Sequence, residues 1–181
     1  MKKTLLTSKS KNNITLIGMA GSGKSTVGKL LAKKLNYRVI DGDKYIEAQE
    51  KMKLQQIIDA LGDKKFIQIE EKRILELLKL NNTILAPGGS IIYSKKLMEV
   101  IRKSSLVIFL DVSLEIIEKR LGNKAMRGIV GLKAKSVKEL YKERLPLYKK
   151  YADLTISGFK RTSEDISQVI IKKLKAKNEK N

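Results

Sequence analysis

The sequence predicts a three-layer, doubly wound α/β domain with about five parallel strands, a phosphate-binding loop and a mobile lid. Three observations predict it. First, Ile14-Thr15-Leu16-Ile17 is a short apolar run that feeds directly into Gly18-Met19-Ala20-Gly21-Ser22-Gly23-Lys24-Ser25, which fits G-x-x-x-x-G-K-[ST]. Second, Val27, Leu30, Leu31 and Leu35 follow at helical spacing, so the loop lies between a strand and a helix. Third, near-continuous apolar runs alternate with helical segments throughout, as expected for strands covered on both faces.

Each element can be read in order. Residues 1–12 form a polar tail, and a single domain spans 13–174. Strand one is Ile14–Ile17, and the first helix runs over Lys24–Leu35. Arg38–Asp41 is a second strand ending in an acidic turn. Residues 43–81 are helical, with breaks near Lys51–Lys53 and Gly62–Asp63, and Phe66, Ile69, Ile74, Leu77 and Leu78 mark their apolar face. Thr83–Ala86 is a third strand that enters Pro87-Gly88-Gly89-Ser90. A helix over Lys95–Arg102 precedes the clearest strand, Leu106–Leu110. Leu114–Leu121 is helical, and the basic, glycine-bearing stretch 122–135 reads as the lid. Ser136–Tyr151 is helical despite Pro146, and Leu154–Ile156 is a last strand. Ser163 caps a final helix that ends in a charged tail, 175–181.

Composition excludes several chemistries. The 181 residues contain no cysteine and no histidine. A disulfide framework, a thiolate zinc site and a histidine base are therefore ruled out, and any metal site must use oxygen ligands, which suits Mg²⁺. No apolar stretch is long enough to span a bilayer, and the N-terminus lacks the apolar core of a signal peptide, so a cytoplasmic protein is expected. The net charge of +20 raises the possibility of nucleic acid. Lysine supplies most of it and is scattered over every predicted helix, which favours a solvated surface. Nothing in the residues demands a partner subunit, so a monomer is expected.

Ligands in such folds sit beyond the carboxyl ends of the strands, and the chemistry-bearing residues fall there. In the loop after strand one, Gly21, Ser22, Gly23, Lys24, Ser25 and Thr26 form a phosphate cradle: backbone N–H groups point inward, Lys24 reaches the terminal phosphates and the Ser25 hydroxyl ligates Mg²⁺. Asp41-Gly42-Asp43 places two carboxylates just past strand two. In a kinase one could hold Mg²⁺ through water and the other accept the proton of an attacking hydroxyl; the plainer alternative is an Asx-type turn. Gly88 and Gly89 allow a ligand close to the backbone, or mark an ordinary turn. Arg120 and Arg127 flank the lid, where an arginine can neutralise charge on a transferring phosphoryl group. Arg144 could pair with a substrate anion, or with Glu143 beside it.

Together these blocks resemble the shikimate kinase family from about residue 14 to 156. The matching pieces are the loop through Thr26, Asp41-x-Asp43-x-x-Ile46-Glu47, Phe66-x-x-x-Glu70, Gly88-Gly89, Arg127, Arg144-x-Pro146-Leu147-Tyr148 and Ala152-Asp153. The resemblance implies ATP and Mg²⁺, with a small hydroxyl compound as acceptor and transfer of the γ-phosphate to the 3-hydroxyl of shikimate. By the same resemblance Lys24 and Ser25 hold phosphates and metal, and Asp41 sits by the metal through water. Asp43 orients or deprotonates the attacking hydroxyl. Gly88 and Gly89 line the acceptor pocket, Arg120 lies against adenine, Arg127 is the lid arginine and Arg144 binds the substrate carboxylate.

Two positions depart from the family pattern. The family carries arginine directly after the phenylalanine, where this chain has Ile67, and a third glycine where it has Ser90. Both fall in the acceptor pocket. The loss of one arm of a carboxylate clamp makes a different small hydroxy acceptor the alternative expectation, with a nucleic-acid-associated P-loop protein behind it.

Overall fold

The computed structural model describes residues 13–122, 128–158 and 160–178. Five strands, β1 (Asn13–Ile17), β2 (Arg38–Asp41), β3 (Thr83–Ala86), β4 (Ser105–Asp111) and β5 (Leu154–Ser157), form one parallel sheet in the order β2-β3-β1-β4-β5. The helices are α1 (Lys24–Leu35), α2 (Gly42–Glu50), α3 (Leu54–Leu77), α4 (Lys95–Ser104), α5 (Leu114–Leu121), α6 (Val137–Tyr151) and α7 (Ser163–Asn178). A 3₁₀ turn over Ile91–Tyr93 follows the loop after β3.

Side chains alternate across each strand and so feed two cores. Ile14, Leu16, Ile84, Leu106, Ile108 and Leu110 meet α1 and α7 through Val27, Leu31, Ile166, Ile170 and Leu174. Leu85, Val107 and Phe109 meet α4 and α6 on the other face. A smaller cluster of Ile46, Leu54, Ile57, Ile58, Phe66 and Val130 joins α2, α3 and the lid. The helix after β1 packs on one face and the helix after β3 on the other. A crevice therefore opens at the carboxyl ends of β1 and β3, the switch point where ligands bind in such sheets.

Several boundaries differ from the expectation, each for a local reason. Strand β1 begins at Asn13, whose buried amide donates to Leu80 O at 2.6 Å and accepts from Thr83 N at 3.0 Å. These bonds tie β1 to the entry of β3. Asn13→Ala removes both and leaves Thr83 N–H buried and unpaired; urea unfolding should show a loss of about 2 kcal/mol. The edge strands are not covered on both faces: Arg38 and Val39 of β2 are exposed and Ile40 and Asp41 half-buried, and only Ile156 of β5 is buried. The cap of α7 is Thr162, not Ser163: Thr162 Oγ1 accepts from Asp165 N, and Asp165 Oδ2 accepts from Thr162 N. Helix α7 continues to Asn178, past the point where the charged tail was expected. The break expected near Gly62–Asp63 is present: Gly62 takes φ 77° and ψ 165°, so α3 consists of two helical stretches that meet at that residue.

Candidate active site

The loop between β1 and α1 follows from its glycines. Gly23 precedes the first helical residue at φ 93°, a conformation that a β-carbon would strain. The backbone turns on a bond from Ser22 N to Met19 O at 3.1 Å. Lys24 Nζ lies inside the loop and donates to Gly18 O and Met19 O, both at 2.9 Å. Ser25 Oγ donates to Asp41 Oδ2 at 2.6 Å, joining the loop to the end of β2. Asp41 Oδ1 accepts from Lys44 N and caps α2, so the Asx-type turn and the link to the loop coexist in one side chain. Gly21, Gly23 and Thr26 line the cavity, whereas the buried Ser22 side chain turns back into the loop. The exposed Arg120 crosses from α5 to donate from Nη1 to Gly21 O at 3.0 Å.

A cavity of about 610 Å³ runs from this loop to the end of β3, a size that suits small-molecule ligands. Asp43, in the first turn of α2, is half-buried in its wall. Gly88 faces it: a β-carbon there would lie 2.9 Å from Asp43 Oδ1 and 2.5 Å from Glu70 Oε1, so the wall has no room for a side chain. Gly89 approaches Arg144 Nη1 and Tyr148 OH in the same way, at 3.2 and 3.0 Å from its hypothetical β-carbon.

Arg144 is 1% exposed, and its contacts aim it. Nε donates to Tyr93 OH at 3.0 Å, Nη2 donates to Val130 O at 2.6 Å, and the guanidinium lies 5.1 Å from the Tyr93 ring centroid. Nη1 lies toward Gly89 at the cavity, and the guanidinium also interacts with the Tyr148 hydroxyl. Glu143 does not pair with Arg144; it takes Lys135 Nζ and the Tyr93 hydroxyl. Tyr148 donates to Gly89 O at 2.8 Å and stacks on Phe109. The second half of the lid stretch is stitched to α3, with Gly128 N on Gln55 Oε1 and Gly131 N on Asp63 Oδ2.

Burial sets the charges. It lowers Lys24 to about 8 against the opposing pull of Asp43, and raises Asp43 to about 6 against the opposing pull of Lys24. Glu70, 1% exposed, is pushed up to about 8 by burial, with the Ser90 hydrogen bond opposing. A proton acceptor and a cation thus line one cavity, with a neutral acid buried behind its glycine wall.

Of the residues singled out in the sequence, Gly21, Gly23, Lys24, Ser25, Thr26, Asp43, Gly88, Gly89, Arg120 and Arg144 line this cavity, and Asp41 joins it through Ser25. Arg127 lies outside the described residues. Sequence reasoning missed the placement of Glu70, Tyr93 and Val130 O. Glu70 carried a signal: it stands four residues from both Phe66 and Ile74 and so occupies the buried stripe of α3.

The family model described as Shikimate kinase matches residues 20–175. The chain belongs to the shikimate kinase family. A shikimate kinase of Sulfurihydrogenibium sp. (strain YO3AOP1) is 36% identical over 163 residues, covering 90% of this chain and 98% of the relative. Among solved structures, the shikimate kinase of Acinetobacter baumannii in complex with shikimate superposes with a TM-score of 0.86 at 27% identity, over 93% of this chain and 96% of the other. The shikimate kinase of Aquifex aeolicus gives a TM-score of 0.79 at 27% identity, over 91% and 97%.

Both departures from the shikimate kinase pattern lie on α3 or against it. Ile67 packs on the smaller apolar cluster, while its neighbour Phe66 faces the cavity. Ser90, 4% exposed, donates to Glu70 Oε2 at 2.6 Å. The ATP and Mg²⁺ that shikimate kinases use fit the residues present. Ser25 and Asp41 offer a hydroxyl and a carboxylate, a donor set that leaves a Mg²⁺ ion its other places for phosphate oxygens and water.

Proposed function

We propose that this protein transfers the γ-phosphoryl group of ATP to the 3-hydroxyl of shikimate. The observation that carries the reading is that one cavity holds the phosphate loop, a half-buried carboxylate and a buried arginine in its wall. When bound, MgATP supplies the phosphoryl group, with the ion offsetting its charge. Lys24 exchanges its two loop carbonyls for phosphate oxygens and neutralises charge that builds during transfer. Ser25 and Asp41 would hold the metal, Asp41 through water. Asp43 accepts the proton of the 3-hydroxyl as its oxygen bonds to phosphorus and the bond to the ADP oxygen breaks. Gly88 and Gly89 let the ring lie against backbone, Arg144 Nη1 takes the carboxylate, and Arg120 lies against adenine. Arg127 serves as the lid arginine.

ADP release by the purified protein with MgATP, with and without shikimate, tests this reading. Shikimate-dependent turnover supports it. Intact MgATP binding without stimulation would overturn shikimate as the acceptor and leave the kinase. The alternative acceptor rested on the lost clamp arginine, and full-length similarity to shikimate kinases does not favour it.

Arg144 is the cation left to hold the acceptor's carboxylate, so its support matters. Tyr93→Phe keeps the ring and removes the hydroxyl that Arg144 Nε donates to. Hydrogen bonds to charged groups contribute about 1.5–3 kcal/mol. Steady-state kinetics should show the shikimate KM raised about tenfold with the MgATP KM unchanged.

We take the protein to act as a cytoplasmic monomer without a nucleic acid partner. Among the described residues no helix is long and apolar enough to cross a membrane. Surface lysines pair singly with carboxylates on separate elements, as in Lys34–Glu164, Lys53–Glu47 and Lys96–Glu71, and this dispersal supports a solvated basic surface.

A further inference from the structure

Arg144 is fixed by a line of side chains that continues beyond Tyr93. Tyr93 stands on the 3₁₀ turn after the loop that follows β3. Its hydroxyl donates to Glu143 Oε1 at 2.8 Å, and the Tyr93 oxygen accepts from Arg144 Nε at 3.0 Å. Glu143 Oε2 takes Lys135 Nζ, from the end of the lid stretch. Lys135, Glu143, Tyr93 and Arg144 thus form one hydrogen-bonded line from the lid stretch to the cavity wall.

The direction of each bond in this line is dictated. A carboxylate only accepts, and a phenol has one proton to give. The hydrogen bond from Lys135, then the one from Tyr93, hold Glu143 below the usual carboxylate range, so it is an anion at neutral pH. Burial raises Tyr93, so its hydroxyl keeps its proton. That proton is committed to Glu143, which turns a lone pair of the hydroxyl toward Arg144 Nε. Without Glu143 the hydroxyl is free to rotate, and Arg144 loses an oriented acceptor.

We propose that Glu143 is a positioning residue for acceptor binding: it orients the Tyr93 hydroxyl, which fixes Arg144 before the acceptor's carboxylate enters. The proposal rests on the reading of Arg144 as the group that takes that carboxylate. An arginine held in one geometry loses little side-chain entropy when an anion binds. With Ile67 where the family has a second cation, the aim of the remaining arginine matters more. Two effects of Glu143 oppose each other. Its negative charge beside Arg144 weakens the pull on an incoming anion, while its hold on Tyr93 aims the guanidinium. Lys135 offsets that charge and both partners of the pair reach solvent, which screens it further, so the aiming effect wins.

Steady-state kinetics with shikimate tests the proposal. Glu143→Ala should raise the shikimate KM about three- to fivefold, with kcat and the MgATP KM within about twofold. Glu143→Gln keeps a carbonyl oxygen for the Tyr93 proton and should recover most of the loss. In a Tyr93→Phe background, Glu143→Ala should add less than about twofold, because the two residues act in series. A charge effect alone has the opposite sign: loss of the anion would lower the shikimate KM. A lowered or unmoved KM in Glu143→Ala, or its full penalty in the absence of the Tyr93 hydroxyl, overturns the proposal.

A wild type that does not phosphorylate shikimate would instead sink the acceptor reading. The aiming of Arg144 is then decided in the free enzyme by solvent exchange of its Nε–H, followed by ¹⁵N NMR and assigned through bonds from the Arg144 backbone amide. Exchange should be faster in Glu143→Ala and in Tyr93→Phe than in wild type, and close to wild type in Glu143→Gln. Equal exchange in wild type and Glu143→Ala overturns the positioning role.

Discussion

Lys24→Ala should lower shikimate-dependent ADP release about a thousandfold, with the folded structure retained. Removing one preorganised donor to developing charge costs on the order of 10²–10³ in turnover. Lys24 is such a donor and is also a full charge, 9% exposed, within the loop that grips the phosphates. The substitution leaves Gly18 O and Met19 O without their side-chain donor but also removes a desolvated charge whose ionisation burial already opposes. The two changes to the fold offset each other. Circular dichroism should therefore show an intact fold, while equilibrium dialysis shows weakened MgATP binding. Turnover within tenfold of wild type would sink the assignment of Lys24 to phosphate.

Asp43→Asn should cost about 10²–10⁴ in kcat, the range for a lost general base, while shikimate binding persists because the amide keeps the shape. Its pH dependence supplies an independent check. Burial raises Asp43 to about 6, so the proton-accepting form prevails only above that pH. Burial lowers Lys24 to about 8, so its charge is present only below that pH. The wild-type kcat/KM for shikimate should fall on the acid side with a limb near 6, and kcat/KM for MgATP should fall on the alkaline side with a limb near 8. The residual activity of Asp43→Asn should lack the acid limb. An acid limb unchanged in the variant would assign it to another group.

How far the site could be read in advance depends on how local its parts are. The phosphate loop, helix α1 and the strand before it were legible because the glycines, Lys24 and Ser25 act within one turn of chain. The boundaries of β2, β3 and α5 followed from apolar runs ended by turn residues. The exposure of β2 was not legible, because it depends on which strand ends at the sheet edge, and that is set by long-range pairing. Glu70 illustrates the same limit. Its pairing with Ser90 spans twenty residues, and beside Glu71 it reads as part of a charged face. Only the phase of α3 after the bend at Gly62 turns Glu70 inward while Glu71 reaches Ser94 and Lys96. Val130 contributes a backbone carbonyl to Arg144, which no side-chain pattern encodes.

The chain's lack of histidine and cysteine gives the trio of Lys24, Asp43 and Glu70 a practical property. Ordinary carboxylates have lost their protons by pH 6, and ordinary lysines still hold theirs at pH 8. Across that window the groups with shifted values near 6 and 8 among the described residues are on the cavity or directly behind its wall. A proton taken up or released when the acceptor enters thus reports on the site itself, whereas the nucleotide brings a terminal phosphate that titrates in the same window. Titration calorimetry in buffers of different ionisation enthalpy would count those protons directly, with no label and no substituted residue, and would show separately what the nucleotide and the acceptor each do to them.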